Sequence, residues 1–174
     1  MDACLTKLDS AGIPRRPLTT PMHAFLELHI EQGPILEREG AAVGVVEGIQ
    51  GVSWFEVTVS GSANHAGTTP RSSRRDALEG ACTLTPLSRV DPVGFPATLT
   101  ALLDDTAHEL GMPAPRLVSG AFHDAIHLAK HCPTAMLFVP CRDGLSHHPD
   151  EHTELDDAVA GTQLLAASLA SLTR

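Results

Sequence analysis

A strand and the loop that follows it are predicted by the stretch Ala24-Phe-Leu-Glu-Leu-His-Ile-Glu-Gln-Gly-Pro34. Its first seven residues alternate between two sets of side chains, as on a β-strand with two distinct faces. One face carries Leu26, Leu28 and Ile30, and the other carries Phe25, Glu27 and His29. Pro34 suits the first turn of a short helix, which we expect to end near Arg38. His29 and Glu31 therefore lie where a strand passes into a loop, the usual ligand edge of an open α/β sheet.

Further helices and buried strands alternate along the chain. Regularly spaced leucines between residues 97 and 110, followed by Gly111, predict an amphipathic helix. The continuous apolar run at 135–139 is typical of a buried strand. The other predicted elements are helices at 1–13, 72–84, 124–130 and 155–172, a strand at 54–60 and a proline-rich break at 86–96. This alternation favours a layered α/β fold.

The charge balance excludes one class of function. The 174 residues include 21 acidic and 12 basic side chains, which leaves a formal net charge of −9. Proteins that hold nucleic acid through phosphate contacts need the opposite balance, so no nucleic-acid partner is expected. No apolar run approaches the ~20 residues that cross a bilayer, and the N-terminus has no basic segment followed by an apolar one. We therefore expect a soluble, cytoplasmic protein without a membrane partner.

Histidines are the candidates for metal binding. The four cysteines are scattered without Cys-x-x-Cys spacing, whereas the chain carries ten histidines. His29 has Glu27 and Glu31 close in sequence, and their carboxylates could fix the tautomer of its imidazole. The segment 144–151 places two histidines and two carboxylates on a loop after a buried strand, a set that binds Zn²⁺, Mn²⁺ or Co²⁺. The alternative for each histidine is an ordinary packed or surface side chain.

A second group of histidines has helical spacing. His123, His127 and His131 follow one another at four-residue intervals, as on one face of a helix. The helix is expected to begin only near Asp124, and His131 lies at its C-terminal end, where a cation interacts favourably with the helix dipole. His127 and His131 are therefore interpreted as structural. His123, at the helix entrance, remains a candidate site residue.

Five motifs in a fixed order resemble one known family. They are Leu28–Pro34, Gly48–Trp54, Ala63–Pro70, His123–Ala125 and Pro133–His147. Together they are similar to the metal-dependent amidohydrolases of the peptidase M20 clan. The branch they resemble comprises N-carbamoyl-L-amino-acid hydrolases, β-ureidopropionases and allantoate amidohydrolases. The resemblance covers nearly the whole chain, apart from the first fifteen residues and the stretch between Pro86 and Pro96.

The resemblance implies a role for several residues. The family's site holds two divalent metal ions, Zn²⁺, Mn²⁺ or Co²⁺, which activate a water against a small ureido or amide substrate. The metal ligands implied are His29 and His147, the catalytic residues His65 and His123, and the substrate-binding residues Gln32, Asn64 and Arg142. In this family the histidine matched by His65 typically reaches the partner subunit's active site, where it can stabilise an oxyanion. The resemblance therefore also implies a possible homodimer formed through a lid domain.

The same resemblance predicts the domain organisation. Residues 1–47 and 95–174 are expected to form the C-terminal part of an αβα catalytic domain, and residues 48–94 a truncated α+β lid. The family's His-x-Asp motif and Glu-Glu pair, which supply the bridging carboxylate and the general base, have no counterpart upstream of His29. After Leu84 we expect none of the later lid strands, including the one that bears an arginine, because the stretch reads as an internal deletion.

These departures lead to an expectation about activity. With the bridging carboxylate and the base missing, each metal would keep too few protein ligands, so this chain alone is expected to be inactive. The alternatives are a non-catalytic truncated remnant, or a metal-binding and dimerisation module.

Overall fold

The computed structural model describes residues 20–77 and 82–173. The helix predicted at 1–13 lies outside these residues. The chain divides into two compact units, with the divisions between Gln50 and Gly51 and between Pro92 and Val93. In chain order the elements are β1 (Phe25–Ile30), α1 (Ile35–Glu39), β2 (Gly44–Ile49), β3 (Val52–Val59), β4 (Cys82–Val90), β5 (Val93–Gly94), α2 (Ala97–Glu109), β6 (Arg116–Ser119), α3 (Ala125–Leu128), β7 (Thr134–Val139) and α4 (Leu155–Leu172).

The larger unit is built on a five-stranded mixed sheet. β1 pairs with β7 in parallel, and β7 pairs with β2 in antiparallel orientation. β2 also pairs with β6 in parallel and with the short β5 in antiparallel orientation. The parallel register of β1 and β7 places His29 opposite Phe138. Residues at the carboxyl ends of β1 and β7 therefore lie side by side.

Apolar side chains cover both faces of this sheet. On one face α2 and α4 pack against the strands, and the buried cluster there comprises Val43, Val45, Leu99, Leu103, Ala107, Ala135, Leu137, Val139 and Leu164. Because side chains alternate along a strand, Met136 and Phe138 project to the opposite face. That face also receives α3, which packs on β1 and β7. The layered α/β prediction is confirmed.

Most of the predicted elements of the larger unit are confirmed. Apolar periodicity located α2 and α4 to within a residue, and β1 and β7 occupy the predicted stretches. The exceptions are β2, β5 and β6, which no predicted strand covers. Of these, β2 pairs with three other strands. The sequence of β2, Gly-Val-Val-Glu-Gly-Ile, is short and interrupted by glycines, so it carries no clear period.

The smaller unit is an antiparallel ribbon of β3 and β4, and it corrects two predictions. The helix predicted at 72–84 is wrong: among the described residues of this stretch, 72–77 and 82–84, there is a 3₁₀ turn at Arg71–Ser73 and β4 already begins at Cys82. Strand pairing overrides the local pattern here, as it commonly does for β-branched residues such as those at 83 and 85. The break predicted from Pro86 onward is also wrong, because β4 continues to Val90.

Pro86 is accommodated because the ribbon is irregular opposite it. The register shifts between Trp54 and Phe55, where Phe55 pairs with Pro86 and Trp54 pairs with Ser88. Proline lacks the amide hydrogen that a central strand needs, and it is tolerated at edges and bulges. Beyond this bulge β4 continues and carries Arg89, which pairs with the exposed Asp91.

Gly161 of α4 contacts the sheet without room for a side chain. A Cβ atom there would lie 2.5 Å from Val139 Cγ1 and 2.9 Å from Leu28 Cδ1. At an exposed helix position, alanine is normally more stabilising than glycine by about 1 kcal/mol. Overpacking a core, in contrast, costs about 1–3 kcal/mol. We expect Gly161→Ala to lower the free energy of unfolding by about 1–2 kcal/mol, measured by urea denaturation.

The control for this substitution is Gln163→Ala, at an exposed position of the same helix. Its expected effect is below about 0.5 kcal/mol, as for most surface substitutions. A Gly161→Ala protein more stable than the wild type would show that propensity outweighs packing, and would contradict the close contact of α4 with the sheet.

Candidate metal centre and adjoining cleft

Three potential ligands converge at the edge where β1 ends. One ligand atom each from Glu27, His29 and His123 lies within 4.8 Å of the other two. The strand alternation of β1 places Glu27 and His29 on the same face, and His123 reaches them from the turn before α3. The two imidazole rings meet edge to face, with centroids 4.5 Å apart and planes at 67°. The ring of Phe138 lies 5.6 Å from that of His123 and forms part of the same environment.

A hydrogen bond to a neighbouring group fixes one polar atom of each of these three side chains. His29 Nδ1 lies 2.9 Å from the carbonyl oxygen of Ile30, which can only accept, so Nδ1 carries the hydrogen. Glu27 Oε2 accepts a 2.9 Å hydrogen bond from the backbone N–H of Ala125. His123 Nε2 lies 2.8 Å from Ser119 Oγ. These bonds orient the three side chains toward one another.

The tautomer of His123 follows from the bonds of Ser119. The Ser119 hydroxyl donates to the carbonyl of Ala121 and accepts from the N–H of the same residue, each at 3.1 Å. Its hydrogen is therefore in use, and His123 Nε2 is the donor to Ser119 Oγ. The lone pair then resides on His123 Nδ1, which is buried and has no hydrogen-bond partner in the described residues. His123 as a whole is 7% exposed.

Burial shifts the pKa values of two members of this cluster, His123 and Glu27. Desolvation, with a smaller contribution from nearby His29, lowers the pKa of His123 to about 4. Its imidazole is therefore neutral at neutral pH and can act as a ligand. Desolvation also raises the pKa of Glu27, against the stabilising hydrogen bond from Ala125. Imidazole nitrogens and a carboxylate oxygen are a donor set that suits Zn²⁺, Mn²⁺ or Co²⁺, so the residues present fit a divalent metal.

A cleft of about 400 Å³ adjoins the cluster. It is lined by residues that include Gln32, Gly33, Pro34, Gly120, Phe138 and His147. Gln32 and His147 both have a left-handed backbone, with φ of 57° and 55°. Such values are uncommon for residues other than glycine, and they concentrate at functional sites.

The loops that carry Gln32 and His147 pack directly on each other. A Cβ atom added to Gly144 would lie 3.0 Å from the carbonyl carbon of Gly33 and 3.1 Å from the nitrogen of Pro34. The backbone N–H of Asp143 also donates to Glu37 Oε2 at 3.0 Å. Because Gly33 follows His29 by one short turn, the segments bearing His29 and His147 meet at the same edge of the sheet.

Glu31 has a different role from the one expected. Both oxygens of its carboxylate accept hydrogen bonds of 2.8 Å, from the backbone N–H groups of Ile35 and Leu36, and none from His29. Glu31 therefore caps the N-terminus of α1, where a carboxylate is favourable. The tautomer of His29 is set by the carbonyl of Ile30 instead.

Arg142 lies away from the cleft that holds Gln32 and His147. Its guanidinium bonds Glu154 at 2.5 Å, and the pair lines a separate cavity of about 290 Å³. This ion pair lowers the pKa of Glu154. Arg142 is thus not brought together with the other candidate residues of the larger unit.

His65 and Asn64 belong to the smaller unit. His65 Nδ1 accepts hydrogen bonds from the N–H groups of Gly67 and Thr68, both at 3.1 Å. Nδ1 is therefore unprotonated, and the hydrogen of the neutral ring lies on Nε2. Asn64 Nδ2 donates to the carbonyl and hydroxyl oxygens of Ser62 at 3.2 Å. Both side chains are exposed.

Two contributors to the cluster were not among the predicted site residues. Glu27 was expected only to assist His29, although its place on the same strand face was visible from the alternation. No sequence pattern indicated Ser119 as a site residue, because its hydrogen bond with His123 depends on a turn that the sequence does not predict. His127 and His131 are both exposed.

The fold and the donor set define an α/β protein with a candidate site for a divalent metal. Residues 10–171 match the family model described as Peptidase family M20/M25/M40. The chain therefore belongs to this family.

Curated relatives and solved structures agree with this membership. An N-carbamoyl-L-amino-acid amidohydrolase of Pseudomonas sp. (strain NS671) is 30% identical over 220 aligned residues, covering 83% of this chain and 53% of the relative. An allantoate amidohydrolase of Escherichia coli (strain K12) is 30% identical over 236 residues, covering 92% and 57%. A crystal structure of an amidase of the hydantoinase/carbamoylase family from Burkholderia multivorans superposes with a TM-score of 0.82 at 29% identity, covering 87% of this chain and 55% of that one.

The chain spans about half the length of the curated relatives it matches. The 220-residue alignment is longer than the 174-residue chain, so this relative carries residues inside the matched region that this chain lacks. None of the helices in the described part of the chain has the length and apolar character needed to cross a membrane.

Proposed function

We propose that this protein acts in metal-dependent hydrolysis of C–N bonds in small linear amides, such as N-carbamoyl amino acids, ureido acids or allantoate. The observation that carries the proposal is the meeting of the His29 and His147 loops beside a cleft that Gln32 also lines. The similarity to an N-carbamoyl-L-amino-acid amidohydrolase and an allantoate amidohydrolase supports the substrate class. The competing proposal is a non-catalytic module that binds metal or dimerises.

In the proposed site His29 and His147 would hold metal, and Gln32 would bind substrate in the cleft that it lines with His147. Divalent metal ions bound there would polarise the substrate carbonyl and lower the pKa of a water molecule. His123, buried and neutral, would hold a proton on Nε2 through Ser119 and keep Nδ1 available. His65, whose Nδ1 is occupied by backbone N–H groups, would present Nε2–H as a donor to a developing oxyanion. If the smaller unit mediates a homodimer, this donor would come from the partner subunit.

The proposal includes inactivity of this chain on its own. A catalytic metal is usually held by three protein ligands, so two metals need several carboxylates in addition to the histidines. The described residues gather one group of three potential ligands. Glu31, the nearest other buried carboxylate along the chain, is committed to α1 by two hydrogen bonds.

Substrate binding distinguishes the proposed amidohydrolase function from the competing proposal of a non-catalytic module. With Zn²⁺, Mn²⁺ or Co²⁺ present, an N-carbamoyl-L-amino acid or allantoate is expected to raise the melting temperature of the chain and to release no ammonia. His29→Ala should abolish the substrate-dependent shift. His131→Ala, which removes an exposed histidine, should retain it.

Two outcomes would contradict the proposal. If none of these substrates shifts the melting temperature at any metal concentration, the chain is a metal-binding or dimerisation module rather than part of an amidohydrolase. Steady, metal-dependent ammonia release that His29→Ala abolishes would support the chemistry and overturn the inactivity.

A further inference from the structure

We propose that the cleft lined by Gln32 and His147 selects substrates with an apolar side chain, such as the N-carbamoyl derivative of an aliphatic amino acid, over polar ureides such as allantoate. The inference rests on the proposed function, because it states which of the candidate substrates this cleft would hold. Recognition of the apolar side chain is assigned to the wall of the cleft that β6 and the following loop form.

One wall of the cleft carries polar side chains that a ligand can reach. This wall is formed by the loops after β1 and β7, which pack on each other at Gly33 and Gly144. Gln32, Ser146 and His147 contribute an amide, a hydroxyl and an imidazole to it. The side chains of Gln32 and Ser146 make no hydrogen bond within residues 20–77 and 82–173, so their polar groups are available to a ligand.

The wall on the other side is apolar. In the sheet, β6 lies beyond β7 and β2 when counted from β1, so it is about 14 Å from β1 at about 4.8 Å per strand. The lining residues of β6 and the loop after it are Leu117, Val118, Gly120 and Ala121. None of them has a polar side chain. The cleft has a volume of about 400 Å³, near the lower end of the range for small-molecule sites.

Large apolar side chains remain exposed around this cleft. Val118 is 62% exposed and Ile35 is 43% exposed, and both line the cleft. Phe122, which is 44% exposed, directly follows Ala121 of the apolar wall. Exposed apolar side chains that cluster beside polar groups mark binding grooves. A ligand with an apolar side chain would remove them from water.

A polar ureide would fit this arrangement poorly. Allantoate carries two ureido groups and a carboxylate on one carbon atom. If one ureido group bonds Gln32, the other faces the apolar wall and leaves its N–H and C=O groups without partners. None of the described lining residues is an arginine or a lysine. Glu31, which also lines the cleft, has both carboxylate oxygens occupied by backbone N–H groups. An aliphatic side chain at the same wall loses no hydrogen bonds and is stabilised by burial.

The affinities of three probes for the full 174-residue chain test the inference. They are measured by titration calorimetry with Zn²⁺ present. N-carbamoyl-L-leucine is expected to bind at least about 10-fold more tightly than N-carbamoylglycine, which differs from it only in lacking the isobutyl side chain. Allantoate is expected to bind at least about 10-fold more weakly than N-carbamoyl-L-leucine.

The combined substitution of Ile35→Ser and Val118→Ser tests the apolar lining. It should lower the ratio of leucine to glycine affinity by about fivefold, because it removes two apolar side chains from the cleft. Val159→Ser, which removes a 46% exposed valine from α4, should leave this ratio within about twofold of the wild type. A ratio of affinities does not change when part of the sample is unfolded. Circular dichroism checks folding, and Val118→Ser alone, with an expected decrease of about threefold, serves if the double variant does not fold.

Several results would overturn the inference. Equal affinity for the leucine and glycine derivatives, or tighter binding of allantoate, would overturn it while the proposed function stands, because a candidate substrate still binds. An unchanged ratio in a folded Ile35→Ser and Val118→Ser protein would show that this lining does not recognise the side chain. If none of the three probes binds, the proposed function fails together with the inference, and this pattern differs from the other two.

Discussion

Glu31→Ala is expected to lower the free energy of unfolding by about 4 kcal/mol, an effect measurable by urea denaturation. The Glu31 carboxylate accepts two hydrogen bonds of 2.8 Å from the N–H groups of Ile35 and Leu36. Hydrogen bonds to a charged group contribute about 1.5–3 kcal/mol each, and the substitution leaves both donors without their acceptor. Glu31 is only 9% exposed, so water replaces the carboxylate poorly.

Two further variants control this prediction. Glu31→Gln keeps one oxygen but turns an NH₂ group toward a donor, so we expect about half of the loss. Glu39→Ala removes an exposed carboxylate from the same helix and should change stability by less than about 0.5 kcal/mol. If Glu31→Ala is no more destabilising than Glu39→Ala, the carboxylate is not what holds the start of α1.

The capping carboxylate of Glu31 also fixes the loop that carries Gln32 in the candidate site. A Cβ atom on Gly33 would lie 2.8 Å from Glu31 Oε1, so the loop closes tightly around the carboxylate. Gln32 sits inside this loop with its left-handed backbone. The stability of α1 and the position of Gln32 in the cleft therefore depend on the same side chain. This connection explains why a glutamate that contacts no other candidate residue belongs to the site's construction.

Sequence periodicity located the elements whose burial repeats regularly. The alternation in β1 placed Glu27 and His29 on one face, and the leucine spacing gave α2 almost to the residue. β2 and β4 were missed because their stability comes from partners distant in sequence. The sequence suggested a helix before Leu84 and a break from Pro86, and the pairing of β4 with β3 overrode both.

The candidate site was predictable in outline only. Spacing and resemblance singled out His29, His123 and His147, all of which lie at the end of β1 or beside the adjoining cleft. The functions of Glu27, Glu31 and Ser119 depend on single hydrogen bonds to backbone or ring atoms. Such bonds follow from the packed geometry, and no sequence pattern specifies them.

Gly48→Ala is expected to destabilise the larger unit by about 3 kcal/mol, because a methyl group there collides with backbone that cannot move aside. The Cβ atom would lie 2.5 Å from the carbonyl oxygen of Val93 and 3.2 Å from Gly94 Cα. The register of β2 is already irregular between Val46 and Gly48, where the carbonyl of Glu47 accepts a 2.8 Å hydrogen bond from Phe95 N–H.

The partner position provides a matched control. Gly94 lies directly opposite Gly48 in the β2–β5 pair, yet a Cβ atom there would meet nothing within 4 Å. Gly94→Ala should therefore change the free energy of unfolding by less than about 0.5 kcal/mol in the same denaturation experiment. Equal effects of the two substitutions would contradict the close approach of β5 to β2. A large effect confined to Gly48→Ala would show that this glycine allows the chain leaving β5 to bury Phe95 and begin α2, which packs on the sheet.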